Sequence, residues 1–270
     1  MAHHDHDHDH DHGHEDDHHH HGASHLNQEF FDNEAASYDA KHEKTLSQIV
    51  EEIRSRLDFI GADWVDDDDD DDDDDKQSEN AAPPARAVRL LDYACGTGVV
   101  SRALAPSTTQ CIGIDLSENM AAAYNSRAEN QGLAKEEMHA YQGNLCGPDD
   151  PSPAAFSSAD FFNFDVAAVG LGFHHFDDPA LAAKRLVERL KPGGVLVILD
   201  FLTHEKMNTA HAASHTVTHH GFSLEEMKKI FEEAGAGKDF GLEEVAPVVF
   251  NRASETEMRR RIFIARGTKA

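Results

Sequence analysis

The chain has 270 residues, 39% of them hydrophobic, with three cysteines, one tryptophan and a formal net charge of -27. That length suits one large domain better than two small ones. No run reaches the ~18 apolar residues of a membrane span, the start of the chain has neither the basic and apolar regions of a secretory signal nor the arginines of a mitochondrial presequence, and Cys95, Cys111 and Cys146 are too scattered for a disulfide framework or a CxxC metal site. A cytoplasmic, reducing setting is therefore expected, without membrane insertion, and an acidic chain argues against nucleic acid as partner.

The charge is concentrated in two blocks. Residues 3–25 hold twelve of the twenty-one histidines and seven acids, with no lysine or arginine. So polar a stretch cannot bury a core, and residues 1–25 are expected to be a disordered tail. Imidazole and carboxylate together suit zinc or nickel, which opens divalent-metal binding by this tail. Residues 26–62 read as a helical cap. Leu46, Ile49, Val50, Ile53 and Leu57 recur at helical spacing, Gly61 supplies the stop, and Phe30, Phe31 and Tyr38 offer an apolar cover. Residues 63–86 carry ten consecutive aspartates and then Pro83-Pro84, which predicts a disordered acidic insertion. The run has neither the spaced ligands nor the turn glycine of a calcium loop. Without the two blocks the remainder carries about -10 and reads as an ordinary globular chain.

Residues 87–270 alternate. Strand AVRLLDYA leads into the CGTG turn and the short helix VVSRALA. Strand QCIGIDLS precedes helix ENMAAAYNSRAENQG, and strand EEMHAYQGN a proline-rich loop. Strand FDVAAVGLGF precedes helix PALAAKRLVERLKPGG with a Gly-Gly stop, strand GVLVILDFL and helix SLEEMKKIFEEAG. LEEVAPVVF and EMRRRIFIARG close the chain as an antiparallel hairpin at one sheet edge. Strands alternating with such helices predict an α/β, Rossmann-like, mostly parallel sheet with helices on both faces.

The segment Leu90-Leu91-Asp92-Tyr93-Ala94-Cys95-Gly96-Thr97-Gly98 follows a strand and opens a helix. In a doubly wound fold that turn lies where ligands bind, and its glycines bring backbone N–H groups close to a ligand. Asp115 ends the next strand 23 residues after Asp92, placed to accept both hydroxyls of a ribose. A dinucleotide would need GxGxxG. The third glycine is missing, so a nucleoside ligand without a pyrophosphate fits better than the nicotinamide cofactor of an oxidoreductase.

DYACGTG, GIDLSENM, FDVAAVGLGFHHFDDP and LKPGGVLVILDF, in this order, resemble the motifs of the class I S-adenosylmethionine-dependent methyltransferases. The resemblance covers roughly residues 87–266 and is closest in style to the ubiquinone and menaquinone biosynthesis branch. It implies a seven-stranded sheet with six parallel strands and one antiparallel, S-adenosylmethionine as cofactor and a small organic methyl acceptor. By the same resemblance Asp92, Ala94 and Gly96 form the wall beside the methionine part. Asp115 holds the ribose, Leu116 and Met120 flank the adenine, and Gly170 lies near the sulfonium. Asn144 stands where the family often has an Asp, its carbonyl able to accept from the adenine amino group. Ala94 replaces the usual first glycine.

An oxygen, nitrogen or thiol acceptor also calls for a base, for which histidine is suited near neutral pH. His174 and His175 follow the fourth strand and are the candidate catalytic residues. On extended chain only one of the two would face the substrate. His219-His220 is a second candidate pair. His204, His211, His215, His219 and His220 could be imagined around a metal, with His215 and His219 at i, i+4 spacing. The HExxH arrangement is missing, and no catalytic metal is expected. The competing class is a metal-binding or scaffold protein with an inactive methyltransferase fold. An intact Asp115 and glycine turn argue against it.

Overall fold

The structure, a computed structural model, describes residues 23–65, 87–204, 215–250 and 258–270. The expectations for the His/Asp tail, the aspartate run and His211 lie outside the described residues, save the first residues after 22 and the last before 66.

A long helix, α1 (Ala23–Arg54), is followed by a single turn, α2 (Leu57–Ile60). Gly61 stops α2 as expected, at φ 63°, its N–H bonded to Leu57 O. That left-handed conformation is the one glycine adopts without steric cost. The apolar positions of α1 form one stripe, with Leu46, Ile49 and Ile53 buried.

Seven strands make the sheet: β1 (Arg89–Tyr93), β2 (Gln110–Asp115), β3 (Met138–Gln142), β4 (Phe164–Gly170), β5 (Leu190–Phe201), β6 (Lys238–Glu244) and β9 (Ile262–Thr268). Their order is β3-β2-β1-β4-β5-β9-β6. All are parallel except β9, which runs antiparallel to both β5 and β6. The expected mixed, mostly parallel sheet is therefore found, and four helices complete its layers: α3 (Val99–Leu104), α4 (Glu118–Asn130), α5 (Pro179–Arg189) and α6 (Leu224–Ala234).

The closing antiparallel pair lies at one sheet edge as expected, with β9 between β5 and β6, and β6 outermost. Two local expectations are corrected. LEEVAPVVF is split, since β6 starts earlier, at Lys238, and Val248–Phe250 forms a separate strand β7. β7 pairs with β8 (Met258–Arg260) in a two-stranded ribbon. Helix α5 ends at Arg189, before the Gly-Gly pair. Gly193 and Gly194 lie inside β5, where a Cβ on Gly194 would stand 2.9 Å from Phe164 O. The glycine is needed there for strand approach rather than for helix termination.

Alternate residues of each strand face opposite layers. Leu90, Val166 and Val197 pack with α1, α3 and α4, whereas Leu91, Ala167, Leu196 and Phe263 pack with α5 and α6. Full burial of a side chain such as Phe231 or Phe263 contributes about 1.5–3 kcal/mol. The chain reverses direction across the sheet between β1 and β4, so a crevice opens at the carboxyl ends of these two strands. Helix α1 packs against α3, α4 and β7.

Candidate active site

Above that crevice lies a cavity of about 770 Å³, within the size range of small-molecule sites. Its floor is the turn after β1. Ala94, Gly96 and Gly98 all have positive φ, at 53°, 51° and 91°. Glycine tolerates this freely; Ala94 is strained by about 1–2 kcal/mol. Leu171, after β4, also lines the cavity and is left-handed at φ 57°. Strain in non-glycine residues concentrates at functional sites. A Cβ on Gly96 would meet no heavy atom within 4 Å, so its backbone is bare.

Asp115 closes the floor from the end of β2. Oδ2 accepts from Gly96 N at 2.7 Å and Oδ1 from Ser117 N at 2.9 Å. Burial pushes its carboxyl up to about 6, with Asp32 adding to the shift and the two backbone bonds opposing it. Ser117 caps α4, accepting from Met120 N at 3.0 Å. Leu116 and Met120 line the wall beside it.

Of the expected cofactor residues, Ala94, Gly96, Asp115, Leu116, Met120, Asn144 and Gly170 all line the cavity. Two placements differ from expectation. Asp92 lies behind the wall. Its Oδ2 accepts from Ser101 N at 3.0 Å and Ser101 Oγ at 2.7 Å, fastening α3 to β1. Its Oδ1 is buried without a hydrogen-bond partner among the described residues, and burial pushes the carboxyl up to about 7. Asn144 is turned. Its Oδ1 already accepts from Tyr93 OH at 2.9 Å and Cys146 N at 2.8 Å. Both carbonyl lone pairs are thus used, and the side chain has its NH₂ donors to offer rather than an acceptor. Gly170 has a packing role as well, since a Cβ there would stand 2.5 Å from Val100 Cγ2.

Helix α1 forms the roof. Phe30, Phe31, Tyr38, His42 and Leu46 face the cavity. Burial pushes the Tyr38 hydroxyl up to about 12, and Asp115 and Glu34 reinforce the shift. Two acids that gave no signal in the sequence fix this roof. Asp32 Oδ1 accepts from Ser117 Oγ at 2.5 Å and Asn119 N at 3.1 Å. Asp39 accepts from Thr97 Oγ1 and pairs with Arg127. At the other end of the roof Asn27 Nδ2 donates to His175 O at 3.0 Å.

His174 and His175 both line the cavity, against the expectation that only one would. They lie in a helical turn, Phe173–His175, not on extended chain, so successive side chains do not oppose one another. Their ring centroids are 4.0 Å apart. His174 Nδ1 meets Asp200 Oδ1 at 2.9 Å, and its backbone N donates to Asp200 Oδ2 at 3.1 Å. Asp200 is fully buried near the end of β5. His175 Nδ1 lies 2.7 Å from Thr216 O, so Nδ1 carries the proton. Burial pulls His175 down to about 3, and His174 adds to the shift. His175 is therefore neutral. His219 stacks on Phe222 and, like His220, does not line the cavity, whereas His204 does. Among the described residues no group of three or more His, Cys, Asp or Glu side chains gathers as a metal site, and no helix is long and apolar enough to cross a membrane.

Comparison with known proteins agrees with this architecture. Residues 46–237 match the family described as Methyltransferase domain, and the chain belongs to that family. An uncharacterized methyltransferase of Schizosaccharomyces pombe is 28% identical over 192 residues, covering 67% of this chain and 66% of that protein. A demethylmenaquinone methyltransferase of Clavibacter sepedonicus is 32% identical over 123 residues, 46% of this chain and 45% of that protein. The chain thus spans just under two thirds of the first relative and under half of the second. The crystal structure of a SAM-dependent methyltransferase from Thermotoga maritima, a possible histamine N-methyltransferase, superposes with a TM-score of 0.56. It covers 90% of this chain and 99% of that one at 18% identity, which is a likeness of fold. The family expectation is met, and the oxidoreductase alternative is set aside.

Proposed function

We propose that the protein is an S-adenosylmethionine-dependent methyltransferase acting on a small organic acceptor. The observation that carries this reading is Asp115 beneath the bare backbone of Gly96 on the floor of the cavity. The residues present fit a nucleoside cofactor. The Asp115 carboxylate can accept from a ribose diol through its remaining lone pairs. Leu116 and Met120 offer apolar surface to a purine, and the Asn144 NH₂ group can donate to a purine ring nitrogen. The demethylmenaquinone relative supports a small acceptor.

When bound, the cofactor supplies an electrophilic methyl group on a positively charged sulfur. The protein's contribution is position and exclusion of water. Asp115 orients one end of the ligand, the strained turns at Ala94 and Leu171 shape the floor, and α1 covers it. Residues 26–62 act on this reading as the cap over residues 87–270, with His174 and His175 beside the acceptor. A cavity of this size roofed by α1 disfavours an extended macromolecule as substrate.

Calorimetry of S-adenosylhomocysteine binding to the full chain tests the proposal, with Asp115→Ala alongside. Micromolar binding that the variant loses is the expected result. A folded wild-type protein that binds neither S-adenosylhomocysteine nor S-adenosylmethionine would overturn it and favour the inactive scaffold.

A further inference from the structure

Asp200 has no part in holding a nucleoside. It is an acid inside an apolar strand, fully buried, and its protein partners are the ring and backbone nitrogens of His174 and the backbone N of Phe201. Burying a carboxylate is costly unless it is paired. Here the pairing fixes the imidazole. With both carboxylate oxygens within 3.1 Å of Nδ1, the proton of a neutral His174 sits on Nδ1. Nε2 is then a lone pair, and it has no hydrogen-bond partner among the described residues. His175 offers a second acceptor by the same logic, because Thr216 O holds its Nδ1 proton.

Much of the remaining lining at this end of the cavity is aromatic. Phe30, Phe31, Phe176 and Phe201 line it. The Phe201 ring stands edge-on to His174 at 5.0 Å, and Phe31 edge-on to His175 at 5.3 Å. The other ionisable groups lining the cavity here are Asp177 and Asp178, which follow Phe176, His204, which follows β5, and Arg260, from β8, with Glu34, Lys41 and His42 along the α1 roof. Two imidazole lone pairs call for a ligand that donates. An environment that keeps His175 neutral disfavours an ammonium arriving beside a sulfonium.

We propose that His174, oriented by Asp200, is the general base for a hydroxyl acceptor carried on an aromatic or similarly flat apolar frame. The inference rests on the methyl-transfer reading above. The O–H bond of the acceptor breaks and its proton passes to His174 Nε2. The oxygen lone pair forms the new O–C bond while the S–C bond of the sulfonium breaks, its electron pair remaining on sulfur as a thioether. The imidazolium formed is compensated by the Asp200 carboxylate and later returns its proton to solvent. His174 touches the acceptor and is the catalytic residue; Asp200 is a positioning residue.

The test uses para-nitrophenol as probe, because its ionisation is visible in absorbance. The full chain is titrated with it across the neutral pH range, as wild type, Asp200→Asn and His174→Gln. Bound probe is expected to ionise about one pH unit or more lower in wild type than in either variant. Equal ionisation in all three, or no saturable binding to wild type, overturns the proposal. A purely structural Asp200 would not move this readout. If Asp200→Asn fails to fold, His174→Gln carries the comparison. Independently, long-range proton–nitrogen spectra of wild type should place the neutral His174 proton on Nδ1, and a proton on Nε2 instead overturns the assignment. S-adenosylhomocysteine calorimetry runs in parallel. Binding retained without a change in probe ionisation removes the base and leaves the methyltransferase reading. Loss of that binding in wild type removes the reading itself.

Discussion

Thr97 and Asp39 tie the roof of the cavity to its floor: the Thr97 hydroxyl donates to Asp39 Oδ1 at 2.6 Å. Arg127 closes the triangle, pairing with Asp39 and donating to Thr97 O at 2.7 Å. Removing the carboxylate in Asp39→Ala strands the buried Thr97 hydroxyl and leaves the Arg127 guanidinium its bond to Thr97 O. The expected cost is about 1–2 kcal/mol, tempered by solvent at the Arg127 pair. Hydrogen exchange should rise along α1, and S-adenosylhomocysteine affinity should fall about tenfold. Unchanged protection in α1 would contradict this account of the roof.

Cofactor affinity should depend on pH through Asp115. Its carboxyl, raised to about 6 chiefly by burial, must be ionised to accept from a diol. Below that value each pH unit should weaken S-adenosylhomocysteine binding by up to about tenfold. Calorimetry on either side of the transition measures the slope. A flat profile would remove the ionised carboxylate from recognition.

Ala94 occupies a left-handed position where a Cβ is unfavourable. Ala94→Gly should stabilise the protein by about 0.5–1 kcal/mol, the relief of strain being partly offset by the freer unfolded chain. Thermal denaturation decides. A lowered midpoint would mean that the Ala94 methyl contributes packing that outweighs its strain.

Asp92 and His175 should tilt stability against pH in opposite directions. Asp92 is raised from 3.8 to about 7 by burial, so the native state holds its proton more tightly. Its contribution is complete below 3.8 and is lost as pH rises through about 7. Asp92→Asn should flatten that decline. His175 is lowered from 6.5 to about 3 by burial, so its contribution is present above 6.5 and lost as pH falls toward 3. His175→Phe should remove that acid-side loss. Denaturant titrations at several pH values separate the two, and a reversed slope in either difference curve would refute the assignment.

The strand–helix alternation, the glycine turn and Asp115 were legible because each is written in a local pattern. Short continuous apolar runs marked the strands, because a sheet covered on both faces buries both sides of each strand, and the paired glycines marked the turn. Asp32 and Asp39 were not legible, since an acid on a helix surface has no periodic signature and their partners lie 85 and 58 residues away. The joint approach of His174 and His175 was missed because the short Phe173–His175 turn was read as extended chain. Asn144 was misread because its orientation is set by Tyr93, 51 residues earlier. Asp200 did leave a trace, an acid at the carboxyl end of an apolar strand, the edge of the sheet where ligands bind.

The roof joins distant parts of the chain. Helix α1 packs on β7, Arg260 of β8 lines the cavity, and Arg266 of β9 donates to Ile60 O at 3.0 Å across 206 residues. Arg260 thus brings β8 to the cavity, and β9, inserted between β5 and β6, also holds the turn that follows α1. Loosening β9 would therefore be felt 206 residues earlier, beside the cap, without touching the floor residues on β1 and β2.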